Sequence, residues 1–314
     1  MATATAGQTA PTDARAWIQR MNKALVEGNY EGVFEQRSGD RLDTYRILHR
    51  FKDGEMVERL VSTDGSGEEQ KRKGSQWAQF LPDKRRVRVA TRNRAFGYFH
   101  TLNGLDEVAA RHYDISEAGR GRRLGREVQI IRLEPKDNLR FGYRFWIDVG
   151  SALPLRLQRV AHDGKVIKEV TFTFINAPLL STDISDEQLK VAVDFKGYTL
   201  VDQDKFTPFY NSKLKRAFAP QPALMPAGYR VRRFGGQPQE GKTPEPRARF
   251  IVSDGVSWAD VFLAPVIGEA RPDGGRAVEP WATYELQRDG VQVMVVGELP
   301  LAAAKAIAEA VRPE

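Results

Sequence analysis

Between Leu139 and Val149 apolar and polar residues alternate with a period of two. Phe141, Tyr143, Phe145 and Ile147 fall on one face of an extended chain, and Gly142, Arg144, Trp146 and Asp148 on the other. A helix would repeat its apolar residues every three to four positions, and a strand buried on both sides would be apolar throughout. The segment therefore predicts a half-buried antiparallel strand with an aromatic wall. The same period governs Tyr30 to Arg37, Leu42 to Phe51, Met56 to Val61, Gln76 to Phe80, Arg85 to Ala90, Glu127 to Leu133, Leu153 to Ala161 and Val166 to Ile175, with Gly, Asp and Asn at the breaks. So many consecutive strands imply a large antiparallel meander that must curl, leaving a concave face for short helices to cover.

Two helices are expected for that role. One begins at Asp13 as cap, carries Trp17, Ile18, Met21, Ala24 and Leu25 as its apolar stripe and stops at Gly28; the other lies near Leu105 to Ala110. After Ile175 a short helix capped by Ser185 is expected, then a stretch of mixed polarity from Val193 to Gln221, with a domain boundary near Pro208 to Ser212. Strand patterns resume at Tyr229 to Phe234, Ala248 to Ser253, Val256 to Leu263, Thr283 to Arg288 and Gln292 to Gly297, with Asp254-Gly255 and Asp289-Gly290 as turns. Pro300 opens a last helix, Leu301 to Val311. The expected fold is mainly β: a large curved antiparallel sheet, a half-barrel with covering helices, plus a small α+β C-terminal domain. Residues 1–12 read as a flexible leader, 13–208 as the half-barrel domain and 209–314 as the α+β domain.

A chain of 314 residues with 41% hydrophobic content fills real cores. Its charge of +7 favours acidic partners: phosphorylated lipids, nucleic acid or acidic peptide segments. With no cysteine there is no disulfide, thiolate metal site or cysteine nucleophile. The N-terminus has neither a basic nor an apolar signal region, and no apolar run approaches the ~20 residues of a membrane helix. The four histidines, His49, His100, His112 and His162, lack metalloprotease spacing. No serine sits in a nucleophile elbow, and no phosphate loop follows a strand. Asp64, Asp148 and Asp254 stand at turns or strand ends, where an Asx turn explains them. An enzyme, a cofactor and a metal are all unexpected.

Longer motifs identify more. The first half reads Trp17-Ile18, Asn29-Tyr30-Glu31-Gly32-Val33-Phe34, Arg46-Ile47-Leu48-His49-Arg50, Glu58-Arg59-Leu60, Pro135-Lys136-Asp137, Arg140 to Asp148 and Leu153-Pro154-Leu155. The second reads Leu224-Met225-Pro226-Ala227-Gly228-Tyr229, Ser253-Asp254-Gly255, Val261-Phe262 and Val295-Val296-Gly297-Glu298-Leu299-Pro300. In this order, from Ala16 to Val311, they resemble the MucB/RseB family, periplasmic regulators of the envelope-stress sigma factor sigma-E. The resemblance implies a first domain shaped like lipoprotein carriers of the LolA and LppX type. It implies a second domain that holds the periplasmic segment of a membrane anti-sigma factor (RseA/MucA-like) and shields it from site-1 proteolysis, with release on binding lipid or lipopolysaccharide. It also implies a periplasmic location. The basic segment Gly119 to Arg123, read as a loop, and Trp258-Ala259-Asp260 depart from the family pattern.

With that resemblance, Tyr45, Phe80, Phe141, Tyr143 and Phe145 are candidates to line an acyl-chain groove, although aromatics dominate ordinary cores too. Each buried lipid methylene contributes about 0.8 kcal/mol, so a groove needs little polar specificity. Arg85, Arg86, Arg88, Arg122 and Arg123 are candidates for an anionic headgroup, since guanidinium forks match phosphate oxygens; Lys71 to Lys73, Arg92, Arg94 and Arg120 add to the same basic character. A solvated strand face is the competing explanation. Arg230, Arg232, Arg233, Trp258 and Phe262 are candidates for partner binding, an indole beside arginines being hot-spot composition. Nucleic acid is disfavoured because neither a reading helix nor a stacking motif is present. A lipid or lipoprotein carrier using the same groove is the alternative, a hydrolase a weaker one, and homo-oligomerisation stays open.

Overall fold

The structure is a computed structural model that describes residues 13–65, 67–91, 110–177, 182–202, 218–236, 248–266 and 272–313. The leader, the boundary near Pro208 to Ser212, Arg92, Arg94, His100 and all but the last residue of the expected helix near Leu105 to Ala110 lie outside the described residues.

Helix α1 (Ala14–Glu27) forms where its stripe requires it. The Asp13 carboxylate accepts a hydrogen bond from Ala16 N at 2.7 Å, satisfying one of the free donors of the first turn, and Gly28 N closes the helix on Ala24 O. Trp17, Ile18, Met21, Ala24 and Leu25 are all buried, at the helical spacing of one face.

Twelve strands make the first sheet: β1 (Tyr30–Ser38), β2 (Arg41–Lys52), β3 (Glu55–Ser62), β4 (Glu69–Lys73), β5 (Gln76–Leu81), β6 (Arg86–Thr91), β7 (Tyr113–Arg123), β8 (Arg126–Pro135), β9 (Gly142–Asp148), β10 (Pro154–Val160), β11 (Val166–Asn176) and β12 (Thr199–Asp202). Their order is β12-β6-β5-β4-β3-β2-β1-β11-β10-β9-β8-β7. The β1–β11 pairing thus joins two meanders into one open sheet, and among the described strands only the β12–β6 pair is parallel. Register fixes the faces. Phe145, Leu157 and Val170 are successive cross-strand partners, as are Phe172, Phe34 and Tyr45, and all of them share a buried core with the α1 stripe. We call this the inner face.

The chain after β11 runs over the outer face. Ile184 and Leu189 pack on Leu48 and Val57, Arg50 Nη1 donates to Ile184 O at 2.9 Å, and Arg59 Nη1 donates to Gln188 O at 3.0 Å. Ala192 N donates to Glu69, and Phe195 lies 5.2 Å from the Phe80 ring before the chain enters the sheet as β12. Ser185 and Gln188 do cap each other, but over hydrogen-bonded turns rather than the expected helix.

The second sheet contains β14 (Arg230–Gly236), β15 (Ala248–Ser253), β16 (Trp258–Pro265), β17 (Gly274–Val278), β18 (Trp281–Arg288) and β19 (Val291–Gly297), ordered β14-β15-β16-β19-β18-β17. Helix α2 (Leu301–Glu309) covers one face, with Ala303, Ala304, Ile307 and Ala308 against Val261, Leu263, Val293 and Val295. A two-stranded ribbon, β13 (Phe218–Pro220) with β20 (Val311–Pro313), stands beside it. Strand β16 begins two residues later than expected because Val256 N and Ser257 N donate to Asp254 Oδ1 in a side-chain-closed turn, and Val256 packs into the core of the first sheet.

That turn is one half of the junction between the sheets. Arg140, wholly buried, donates from Nε to Asp254 Oδ2 at 2.7 Å; its other nitrogens are taken by Asp137 and by Ala227 O, and it lies 5.0 Å from the Tyr229 ring centroid. Tyr229 OH donates to Leu139 O at 3.0 Å. Beside them Gly228 has φ +85, and a Cβ there would sit 2.6 Å from His112 Nε2, so both backbone conformation and space require glycine. Glu298 forms a second contact, accepting from Arg159 at 2.5 Å and from Lys168 at 3.4 Å. Burial alone would raise the Glu298 pKa, but Arg159 and Lys168 outweigh it and hold the carboxyl below its ordinary value.

Two outcomes follow from this junction. Arg140→Leu leaves Asp254 buried without its cation and is expected to cost about 3–5 kcal/mol in urea unfolding. The depressed Glu298 carboxyl contributes stability that is complete above about pH 4.3, the ordinary glutamate value, and is lost as pH falls through its lower folded value. Glu298→Gln should flatten that part of the stability profile between pH 5 and 3 (about the range of carboxylate titration), as read by urea midpoints.

Candidate functional site

The five groove candidates are all buried, with exposures from 0% at Phe145 to 8% at Tyr45. Tyr45, Tyr143 and Phe145 share the inner face beneath α1; the Tyr45 ring lies 5.5 Å from Phe34, and Tyr143 stacks on Phe145 at 6.1 Å. Here the aromatic wall is core, sealed by the helix. Phe80 does not join it. Its register partners Glu69, Val61 and Arg46 set it on the outer face, under Phe195. Phe141 precedes β9 and lies under the guanidinium of Arg159, near the junction of the sheets.

The inner face changes character from β3 to β6. Its residues there are Glu58 and Leu60 on β3, Gln70 and Arg72 on β4, Trp77 and Gln79 on β5, and Arg88 and Ala90 on β6, successive partners in the ladder. Trp77 Nε1 donates to Gln70 Oε1 at 3.2 Å. Where the apolar half meets the polar one, Tyr30 stacks on His49 at 4.7 Å and His49 Nδ1 is 2.8 Å from Gly28 O. Burial, then the Glu58 charge, raises the Tyr30 pKa well above the phenol range; burial lowers that of Arg72, with Glu58 opposing. The sequence reading missed this polar half because it sought a groove only among aromatics, whereas its signal is the alternation Glu58, Leu60 and Trp77, Gln79.

The headgroup candidates do not form one cluster. Arg86 and Arg88 lie on β6, one strand from an edge, and the Arg85 guanidinium lies 5.7 Å from the Tyr198 ring. Arg122 and Arg123 belong to β7, at the opposite edge of the open sheet. Gly119 to Arg123 is therefore strand, not loop, with a bulge between Glu117 and Arg120. Arg122 donates to Gly125 O, and Arg123 donates to Thr171 Oγ1 at 3.0 Å. The Arg123 pKa is lowered by burial first and by neighbouring Arg156 next.

On the second sheet the face opposite α2 carries the partner candidates. Cross-strand register sets Ser253 beside Trp258, Ile251 beside Asp260 and Arg249 beside Phe262, with Val296 and Met294 next to Asp260 and Phe262. Trp258 and Phe262 thus share this face, and Arg230 pairs with Ser253 at its margin. Arg233 pairs with Ile251 at a bulge that includes Arg232; the side chains of both lie outside the described residues. Arg249 ion-pairs with Asp260 at 2.6 Å and lies over Phe262 at 5.7 Å. Burial raises the Asp260 pKa, with Arg249 opposing. Trp281, which the sequence reading passed over, meets Trp258 edge-on at 5.9 Å and is 43% exposed. No described helix lies over this face, where Trp258, Phe262, Met294 and Val296 are partly buried, and among the described residues no group of three or more acidic or histidine side chains is placed to hold a metal.

Residues 13–193 match the MucB/RseB N-terminal domain and residues 215–312 the MucB/RseB C-terminal domain. The sigma factor AlgU regulatory protein MucB of Pseudomonas aeruginosa is 25% identical over 329 residues, covering 98% of this chain and 93% of that protein. The sigma-E factor regulatory protein RseB of Escherichia coli K12 is 23% identical over 322 residues, covering 98% and 93%. Among solved structures, MucB in the Pseudomonas aeruginosa MucA/MucB complex superposes with a TM-score of 0.75 at 24% identity, covering 96% of this chain and 99% of that chain. The two matches follow one another along the chain as the two sheets do: this protein belongs to the MucB/RseB family of sigma-factor regulatory proteins.

Proposed function

We propose that this protein is a periplasmic negative regulator of the sigma-E envelope-stress response. Its residues 209–314 bind the periplasmic domain of a MucA-like anti-sigma factor and shield it from site-1 proteolysis, while residues 13–208 sense lipid or lipopolysaccharide. The single observation that carries the partner half is the face of the second sheet opposite α2, over which no described helix lies. Trp258, Phe262, Met294 and Val296 stand there at positions that an antiparallel sheet open to water fills with polar residues. The lipid half rests on the open twelve-stranded sheet with arginines near both edges. Because α1 already fills the aromatic part of the inner face, an acyl chain enters either by displacing α1 or over the polar half near Trp77. The role is regulatory rather than catalytic, in line with the names of its relatives.

Release by lipid requires linkage: a lipid that weakens the partner must itself bind less tightly when the partner is present. With the full chain and the periplasmic domain of the same organism's MucA-like protein, calorimetry should give a complex. Lipopolysaccharide should weaken it about 5-fold to 150-fold, the usual range of such coupling, and restore cleavage by the site-1 protease. Absence of a complex would reject the regulator; an affinity indifferent to lipid would reject the sensor. Lipid handed on to an acceptor by a chain that ignores the anti-sigma domain would favour the carrier alternative.

A further inference from the structure

Strand β17 ends the second sheet, and all five of its residues, Gly274 to Val278, are exposed. Natural edge strands are blunted by lysine, proline, inward charges or a covering element. β17 has no lysine or proline, and no described element pairs with its outer side. Gly275 is fixed by packing, because a Cβ there would meet Leu301 Cδ1 at 2.5 Å. Gly274 is not: nothing lies within 4 Å of its would-be Cβ, so the fold does not require the bare backbone that it presents.

The apolar exposure of the neighbouring face concentrates at this same edge. Val278 is 59% exposed and pairs with Trp281, which is 43% exposed and meets Trp258 edge-on. On this face Asp260 is ion-paired with Arg249, and Glu285 accepts a hydrogen bond from Gln292 Nε2 at 3.1 Å and keeps its charge. Arg276, in the middle of β17, makes no hydrogen bond or ion pair among the described residues. A ladder left open among the described residues, two indoles beside it and a guanidinium with no described ion-pair partner call for an extended chain with an apolar anchor and an acidic neighbour, the chemistry of strand addition.

We infer that the β17 edge and the Trp258–Trp281 pair form one docking surface, which takes an extended segment of the anti-sigma factor's periplasmic domain as a seventh strand, with an apolar side chain on the indoles and a carboxylate at Arg276. This rests on the partner reading above and adds the place and mode of contact. The edge supplies backbone hydrogen bonds without sequence demands, so discrimination comes from the indoles and the arginine.

Hydrogen exchange on the full chain, alone and with the MucA-like periplasmic domain, tests it together with two variants, Trp281→Ala and Arg276→Glu. Both side chains are exposed, and unchanged melting of each variant verifies its fold. Expected are slower exchange at residues 274–278 in the complex and an affinity about tenfold or more weaker for each variant. A complex of wild-type affinity with both variants, and unchanged exchange at β17, overturns the docking surface while leaving the regulator reading intact. Slowed exchange at β17 in the chain alone that rises with its concentration assigns the edge to a second copy and also overturns it. No complex with the unaltered chain sinks the regulator reading itself.

Discussion

Arg140 makes no contact with water, and a buried guanidinium is tolerable only if protein groups meet its donors and charge. Its partners come from three places: Asp137 in the turn after β8, Asp254 in the turn between β15 and β16, and the carbonyl of Ala227 ahead of β14. The position of the second sheet against the first is therefore tied to the solvation of one cation. Asp254 spends its other oxygen on closing its own turn, which aims Val256 into the core of the large sheet. A displaced C-terminal unit would strand a charge, open a turn and uncover an apolar side chain together, which makes the junction cooperative rather than graded.

The large sheet owes its form to a division of labour between its faces. Where α1 can lie, the inner positions are Phe34, Tyr45, Phe145 and Phe172; beyond its reach they become Glu58, Arg72, Gln70 and Gln79 around Trp77. The outer positions at that end mix apolar Leu48, Val57 and Phe80 with charged Arg50, Arg59 and Glu69, and the chain after β11 returns to pack on the first three and to bond the others. One alternating code thus serves both faces, with its sense reversed at opposite ends of the sheet.

This reversal explains what the sequence disclosed and what it hid. The strands with clean alternation, the α1 stripe with its Asp13 cap and the two-sheet order were legible, because periodicity records burial. The face of Phe80 was not, since a period of two gives the alternation but not which side the covering element occupies. Strands β4, β7 and β17 were missed because Glu69-Gln-Lys-Arg-Lys73 and the end of β7 are mostly polar and Gly274-Gly-Arg-Ala-Val278 is exposed throughout, and β12, β13 and β20 because three or four residues are too few to show a period. Trp258 and Phe262 were legible as unusual residues; their common face with Trp281 depends on pairing between strands distant in sequence.

Strand β12 limits how far the two units can part. The chain leaves the first sheet hydrogen-bonded to β6 and re-enters described structure at Phe218, so only residues 203–217 separate the two anchors. The peptide links from Asp202 to Phe218 hold these two anchors within at most about 58 Å of each other, whatever the units do. Re-docking of a parted junction is then an intramolecular event, independent of protein concentration, because both of its halves belong to one chain.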